Sequence, residues 1–112
     1  MKKIEAIIRS SKFDAVKDAL RDIGVNFFTF MEVKGYGKQK GDHVVYRGAV
    51  YDVGYIARLM LEIIVTDEKL PEAVNTIKIA ASTGDFGDGK IIISDVSQIV
   101  SIRTGQTNES AI

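Results

Sequence analysis

Lys3-Ile4-Glu5-Ala6-Ile7-Ile8-Arg9 puts Ile4, Ala6 and Ile8 on one face of an extended segment, with Glu5 and Ile7 on the other. Alternation at period two among β-branched residues predicts a strand. Ser11 follows, with Asp14 three residues on, which is the pattern of a hydroxyl cap and an acid in the first helical turn. Phe13, Val16, Leu20 and Ile23 then recur at helical spacing, and Gly24 supplies a stop. From about Asn26 to Val33, the residues Phe27, Phe28, Thr29, Phe30 and Val33 predict a second strand.

The pattern then returns. Leu59, Leu61, Ile63 and Val65 alternate with Met60, Glu62 and Ile64, which predicts a third strand. Asp67 reads as the cap of a helix whose Leu70, Val74, Ile77 and Ala81 share a face, with Pro71 tolerated in its first turn. Gly84 reads as its end, and Lys90 to Ser94 predicts a fourth strand. The order β-α-β, long connection, β-α-β gives an α+β, ferredoxin-like fold: an antiparallel four-stranded sheet with two helices on one face, in a single domain over 1–112. Most apolar residues at periodic positions are then core. The sheet face away from the helices stays uncovered, yet strands one and three are apolar on both faces, which predicts association with further copies.

Composition narrows the chemistry. The 112 residues contain no cysteine, which excludes a disulfide framework, thiol catalysis and thiolate metal sites. His43 is the single histidine, so no multi-histidine metal cage forms. Fifteen basic residues balance fifteen acidic ones, so bulk attraction to nucleic acid or anionic lipid is not indicated. No apolar run approaches the ~20 residues of a membrane helix. The start, Met1-Lys2-Lys3-Ile4-Glu5, turns charged too early for a signal peptide. A cytoplasmic protein is expected.

Two segments exceed what this plan needs. The connection from Tyr36 to Tyr55, about 36–55, is far longer than a hairpin requires; it carries Gly37, Gly41, Gly48, Gly54, Lys38, Lys40, Arg47 and several tyrosines. Thr83-Gly84-Asp85-Phe86-Gly87-Asp88-Gly89-Lys90 has three glycines that let successive N–H groups turn inward as an anion nest, with a lysine at the exit. It departs from a Walker A loop because Ile91 stands where a magnesium-binding hydroxyl belongs, and a strand follows. A plain turn remains the alternative. Arg103 in Ser101-Ile102-Arg103-Thr104-Gly105 is either a solvated charge or a fork for an anion. His43 reads as solvated rather than catalytic. No carboxylate pair or Ser/His/Asp spacing suggests an enzyme.

Tyr46-Arg47-Gly48-Ala49-Val50-Tyr51 resembles the first signature of the PII nitrogen-regulatory signal-transduction proteins, and Thr83 to Ile91 matches their second. Met1 to Arg9, Glu32 to Gly41 and Ile102 to Gly105 also look like that family, so the resemblance covers the whole chain. It implies a homotrimer whose intersubunit clefts bind ATP or ADP. With ATP and Mg2+ bound, such proteins take up 2-oxoglutarate. The long connection, the family's T-loop, then changes shape and partners.

Carried over by position, the resemblance assigns nucleotide binding to Thr29, Gly37, Lys38, Glu62, Ile64 and Arg103, and to Gly87, Asp88, Gly89 and Lys90 of a phosphate-binding loop at about 82–90. It assigns 2-oxoglutarate binding to Gln39, Lys40, Gly41, Arg58 and Gly87. Gln39 would also meet the Mg2+, Arg58 stands where lysine is usual, and Tyr51 is the position uridylylated in some members. Lys38 replaces a usual arginine, while Ser82, Asp85 and Ser101 stand where many members are basic; Val50 departs from the small or acidic residue common in the first signature. Fewer positive charges imply weaker triphosphate binding or a shift toward ADP. Expected partners are an ammonium transporter, a nucleotidyltransferase or a sensor kinase, with membranes reached only through a transporter. The other readings are a trimeric nucleotide-binding protein with slow ATPase activity, and a divergent sensor of ADP and ATP.

Overall fold

The computed structural model describes residues 1–36, 43–46, 49–52 and 56–112, with 43–46 and 49–52 described by their backbone alone. The elements in chain order are β1 (Lys2–Ile8), α1 (Phe13–Asp22), β2 (Thr29–Gly35), β3 (His43–Tyr46), β4 (Ala49–Asp52), β5 (Ile56–Val65), α2 (Leu70–Ala81) and β6 (Gly89–Asp95). Short 3-10 turns occupy Ser10–Lys12 and Asn108–Ala111. The main sheet runs β2-β5-β1-β6, and every neighbouring pair in it is antiparallel. This is the ferredoxin-like α+β plan the sequence predicts.

Alternation on the two central strands decides which face is sealed. Ile4, Ala6 and Ile8 of β1 and Leu61, Ile63 and Val65 of β5 are buried with Val16, Leu20, Ala73, Ile77 and Ala81 from the helices. Burying each large aliphatic side chain contributes roughly 1.5–3 kcal/mol, so this layer holds the sheet and helices together. Phe13, Phe28 and Phe30 close one end of it, with the rings of Phe13 and Phe30 centred 4.8 Å apart.

The opposite sheet face carries a lattice set by the pairing register. Thr29, Glu62, Glu5 and Ile92 form one row across the four strands, and Met31, Met60, Ile7 and Lys90 form the next. Met31 and Ile92 on this face are exposed. Glu5 and Glu62 stand directly opposite each other, a repulsive arrangement relieved by Lys3, whose ammonium lies 3.5 Å from Glu5 and 3.8 Å from Glu62.

Element ends differ in detail from the sequence reading. Ser11 does not cap α1: it lies in the 3-10 turn, where the Lys12 N–H donates to the Arg9 carbonyl at 3.0 Å, and Lys12 takes the cap position. Asp67 does not cap α2. The hydroxyl of Thr66 accepts the Lys69 N–H at 3.2 Å, and Asp67 instead meets the amino terminus at 3.0 Å. Gly84 is not the helix stop either, because α2 ends at Ala81 and Ser82 is already extended. Gly24 is a stop as read. Its φ is +88°, and it donates to the Arg21 carbonyl while Val25 donates to Leu20, the two bonds of a Schellman ending. The long connection contains a hairpin, β3 against β4, with Val45 opposite Val50.

Candidate functional site

The loop between α2 and β6 is organised by its own carboxylate. Gly84, Gly87 and Gly89 have φ values of +86°, +93° and +107°, a region that side chains rarely adopt. At Gly89 a second reason applies, since an added Cβ would sit 1.7 Å from the carbonyl oxygen of Ile7. Asp88 then closes the loop on itself. Its Oδ2 accepts the N–H groups of Thr83 at 2.8 Å and Gly84 at 3.0 Å. Its Oδ1 accepts the Thr83 hydroxyl and, at 3.1 Å, the Arg9 Nε–H. The Thr83 hydroxyl, then the Thr83 N–H, Arg9 and the Gly84 N–H hold the Asp88 carboxyl well below the usual carboxylate range.

Two guanidinium groups reach the loop from neighbouring strands. Arg9, just past β1, also donates to the Phe86 carbonyl at 2.7 Å. Arg58 of β5 donates to the Gly87 carbonyl at 3.2 Å and to that of Ala57 at 3.0 Å. Beside the loop lies a cavity of about 260 Å3 lined in part by Ile7, Ile77, Ser82, Asp88, Gly89 and Lys90. Lys90 is exposed and belongs to the uncovered sheet face.

A second cavity, of about 620 Å3, is lined in part by Lys3 of β1, Thr29 of β2, Glu62 and Ile64 of β5, and Phe28 and Val100. Thr29 is exposed at the start of β2, whereas Glu62 and Ile64 are half-buried on β5. β2 and β6 are the two edges of the sheet, three strand spacings or roughly 14 Å apart. The residues assigned to one nucleotide therefore form two groups in a single chain. Gly87, Asp88, Gly89 and Lys90 stand where edge strand β6 meets Ile7 and Ile8 of β1, beside Arg58; Glu62 and Ile64 of β5 stand opposite Glu5 and Lys3, toward the other end of the strands, with Thr29 of edge strand β2.

Arg103 is exposed in a tight turn closed by the Gly105 N–H donating to the Ser101 carbonyl at 2.8 Å, with Gly105 at φ +72°. Ser82 and Asp85 are exposed, and Ser101 is half-buried. Gly37, Lys38, Gln39, Lys40 and Gly41 lie outside the described residues. The side chains of His43, Val50 and Tyr51 do so as well. Sequence reading missed Arg9 and the inward role of Thr83. Neither is marked in the sequence: Arg9 meets Asp88 because Ile8 pairs with Gly89 in the β1–β6 ladder, which sets the two side by side just beyond it.

Among the described residues no cluster of histidine and carboxylate side chains is arranged to hold a metal ion. No helix among them is long and apolar enough to cross a membrane.

Comparison with known proteins bears on the same segments. The family described as "Nitrogen regulatory protein P-II" matches residues 1–106. A protein of that name from Pasteurella multocida is 47% identical over 112 residues, the whole of both chains. That from Rhizobium meliloti is 46% identical over 112 residues, and "Nitrogen regulatory protein P-II 1" of Escherichia coli is 46% identical over the same length; both are covered in full.

Proposed function

The chain belongs to the nitrogen regulatory P-II family, and from that premise we propose that it reports nucleotide and 2-oxoglutarate levels to target proteins by contact rather than by catalysis. One observation carries the nucleotide reading: three glycines at positive φ lead straight into Lys90 beside an open cavity. Such backbone presents N–H groups to an anion, and the lysine adds a point charge at its exit. A phosphate group fits this chemistry, and Gly89 keeps the loop close against β1, where an added Cβ would meet the Ile7 carbonyl.

The division of the nucleotide residues into two groups that line different cavities supports a site between copies. Stacking the uncovered face of one chain against others, in a trimer, brings the Lys90 loop of one copy to the Thr29, Glu62 and Ile64 cavity of the next. The apolar part of that face, with Ile7, Met31, Met60 and Ile92, is what such contact would bury. Arg103 then approaches the phosphates from its exposed turn. The exposed Ser82 and Asp85, with the half-buried Ser101, lower the positive charge around the anion and favour the diphosphate.

Arg58 supports the effector reading. Its guanidinium already stands at Gly87, and its planar fork can take a carboxylate with two parallel bonds. When bound with ATP, Mg2+ supplies a hard cation that oxygen ligands of a 2-oxo acid can share with the phosphates; Gln39 is the residue of this chain expected to join them. The connection from 36 to 55 is then the part that carries the result to a transporter, a transferase or a kinase.

Calorimetric titration with ATP and Mg2+, with and without 2-oxoglutarate, tests the reading. Each ligand should tighten the other, since coupling between two sites is reciprocal. Independent binding would remove the sensor from the account, and steady phosphate release would favour the ATPase.

A further inference from the structure

Resting on the reading that phosphate binds at 82–90, we propose that Arg9 and the Asp88 carboxylate form a strut that presets this loop, the carboxylate acting as its organiser and only the Asp88 backbone N–H facing the nucleotide. The four hydrogen bonds of the Asp88 carboxylate are divided evenly. Oδ2 takes the Thr83 and Gly84 N–H groups, and Oδ1 takes the Thr83 hydroxyl and Arg9 Nε–H. Both oxygens are thus engaged by the protein's own donors.

The second half of the strut acts through peptide planes. In a trans peptide the C=O and the following N–H point in opposite directions. Arg9 holds the Phe86 carbonyl at 2.7 Å, so the Gly87 N–H is aimed away from Arg9. Arg58 holds the Gly87 carbonyl at 3.2 Å, so the Asp88 N–H is aimed away from Arg58. Two successive donors are thereby turned to the side opposite the guanidinium groups, the geometry an anion needs. Arg9 is a positioning residue: one planar group touches both the carboxylate that closes the loop and the carbonyl that sets its donors. A lysine at this place offers one point of charge and cannot hold both at these angles.

The test uses the full chain and its Arg9→Ala, Arg9→Lys and Asp88→Asn variants, with ADP and adenosine as calorimetric probes. Asparagine has one acceptor oxygen, so either flip of its amide loses the backbone pair or the Thr83–Arg9 pair. Arg9→Ala and Asp88→Asn should each weaken ADP about tenfold and leave adenosine unchanged. The double variant should bind ADP about as the weaker single one does, and Arg9→Lys should recover little. Tighter or unchanged ADP binding by Asp88→Asn, the result expected of a mere negative charge near phosphate, overturns the proposal; so does full recovery by Arg9→Lys. If the parent binds no nucleotide, the functional reading fails, and the strut is decided by amide exchange in the ligand-free protein. Thr83 and Gly84 should then exchange about tenfold faster in Arg9→Ala with the β1 and β5 amides unchanged, and equal exchange overturns the strut.

Discussion

Gly89→Ala should be among the most damaging single-atom additions this chain can take. Gly89 sits opposite Ile8 at the end of the β1–β6 ladder with φ +107°. A methyl group there would lie 1.7 Å from the Ile7 carbonyl oxygen and 2.8 Å from its carbon, and these are backbone atoms that cannot swing aside. Two costs combine. The strained backbone is worth about 1–3 kcal/mol, and prising the strands apart at this end adds about 1–3 kcal/mol. A loss of about 2–6 kcal/mol follows, which for a domain of this size lowers the melting temperature by roughly 8–25 °C. Gly24→Ala is the control: φ is +88° and no atom lies within 4 Å of the added carbon, so strain alone remains, about 1–2 kcal/mol. Urea unfolding of both variants reads the difference. If Gly89→Ala costs no more than Gly24→Ala, close strand approach is not what requires glycine here.

Leu61→Ala, at a fully buried position on β5, should cost about 2–5 kcal/mol in the same assay, and a loss below 1 kcal/mol would show the core to be packed elsewhere. Arg58→Ala should abolish 2-oxoglutarate binding by the ATP-loaded protein and weaken ADP less than Arg9→Ala does, because Arg58 fixes one loop carbonyl, that of Gly87, and does not touch the Asp88 carboxylate; an effector affinity like the parent's would remove Arg58 from the effector site. The Asp88 carboxyl is held below its ordinary value, led by the Thr83 hydroxyl and N–H. Its contribution is therefore present above the unfolded value, about 3.9, and lost as pH falls through the folded one. Protection of the Thr83 and Gly84 amides, after correction for intrinsic exchange, should be flat from pH 7 to about 4 and fall only below that. A decline between pH 7 and 5 would point to a different acceptor.

What could be read from the sequence was what depends on neighbours along the chain. Ile4-Glu5-Ala6-Ile7-Ile8 and Leu61-Glu62-Ile63-Ile64-Val65 declare their faces by alternation, and Phe13, Val16 and Leu20 declare theirs by helical spacing. Helix starts were misread because Ser11 and Asp67 have the right chemistry for caps, and only the path of the chain decides which oxygen meets the free N–H. The glycine-rich loop was visible as composition, yet the partners of Asp88 were not. Arg9 lies 79 positions away, and its meeting with Asp88 follows from the β1–β6 register, which no local pattern contains.

The central claim, that one nucleotide site is assembled from two copies, is tested most directly by mixing two damaged proteins. Lys90→Ala removes the charge at the phosphate loop, and Glu62→Ala removes part of the wall of the second cavity. Each should bind ATP weakly alone. Unfolded together and refolded into mixed trimers, they place an intact Lys90 from one chain beside an intact Glu62 from another, so parent-like ATP affinity should return at a fraction of the sites. Mixed trimers, verified by mass, that recover no such site would contradict the account, because a site contained in one chain stays damaged whatever its neighbours are.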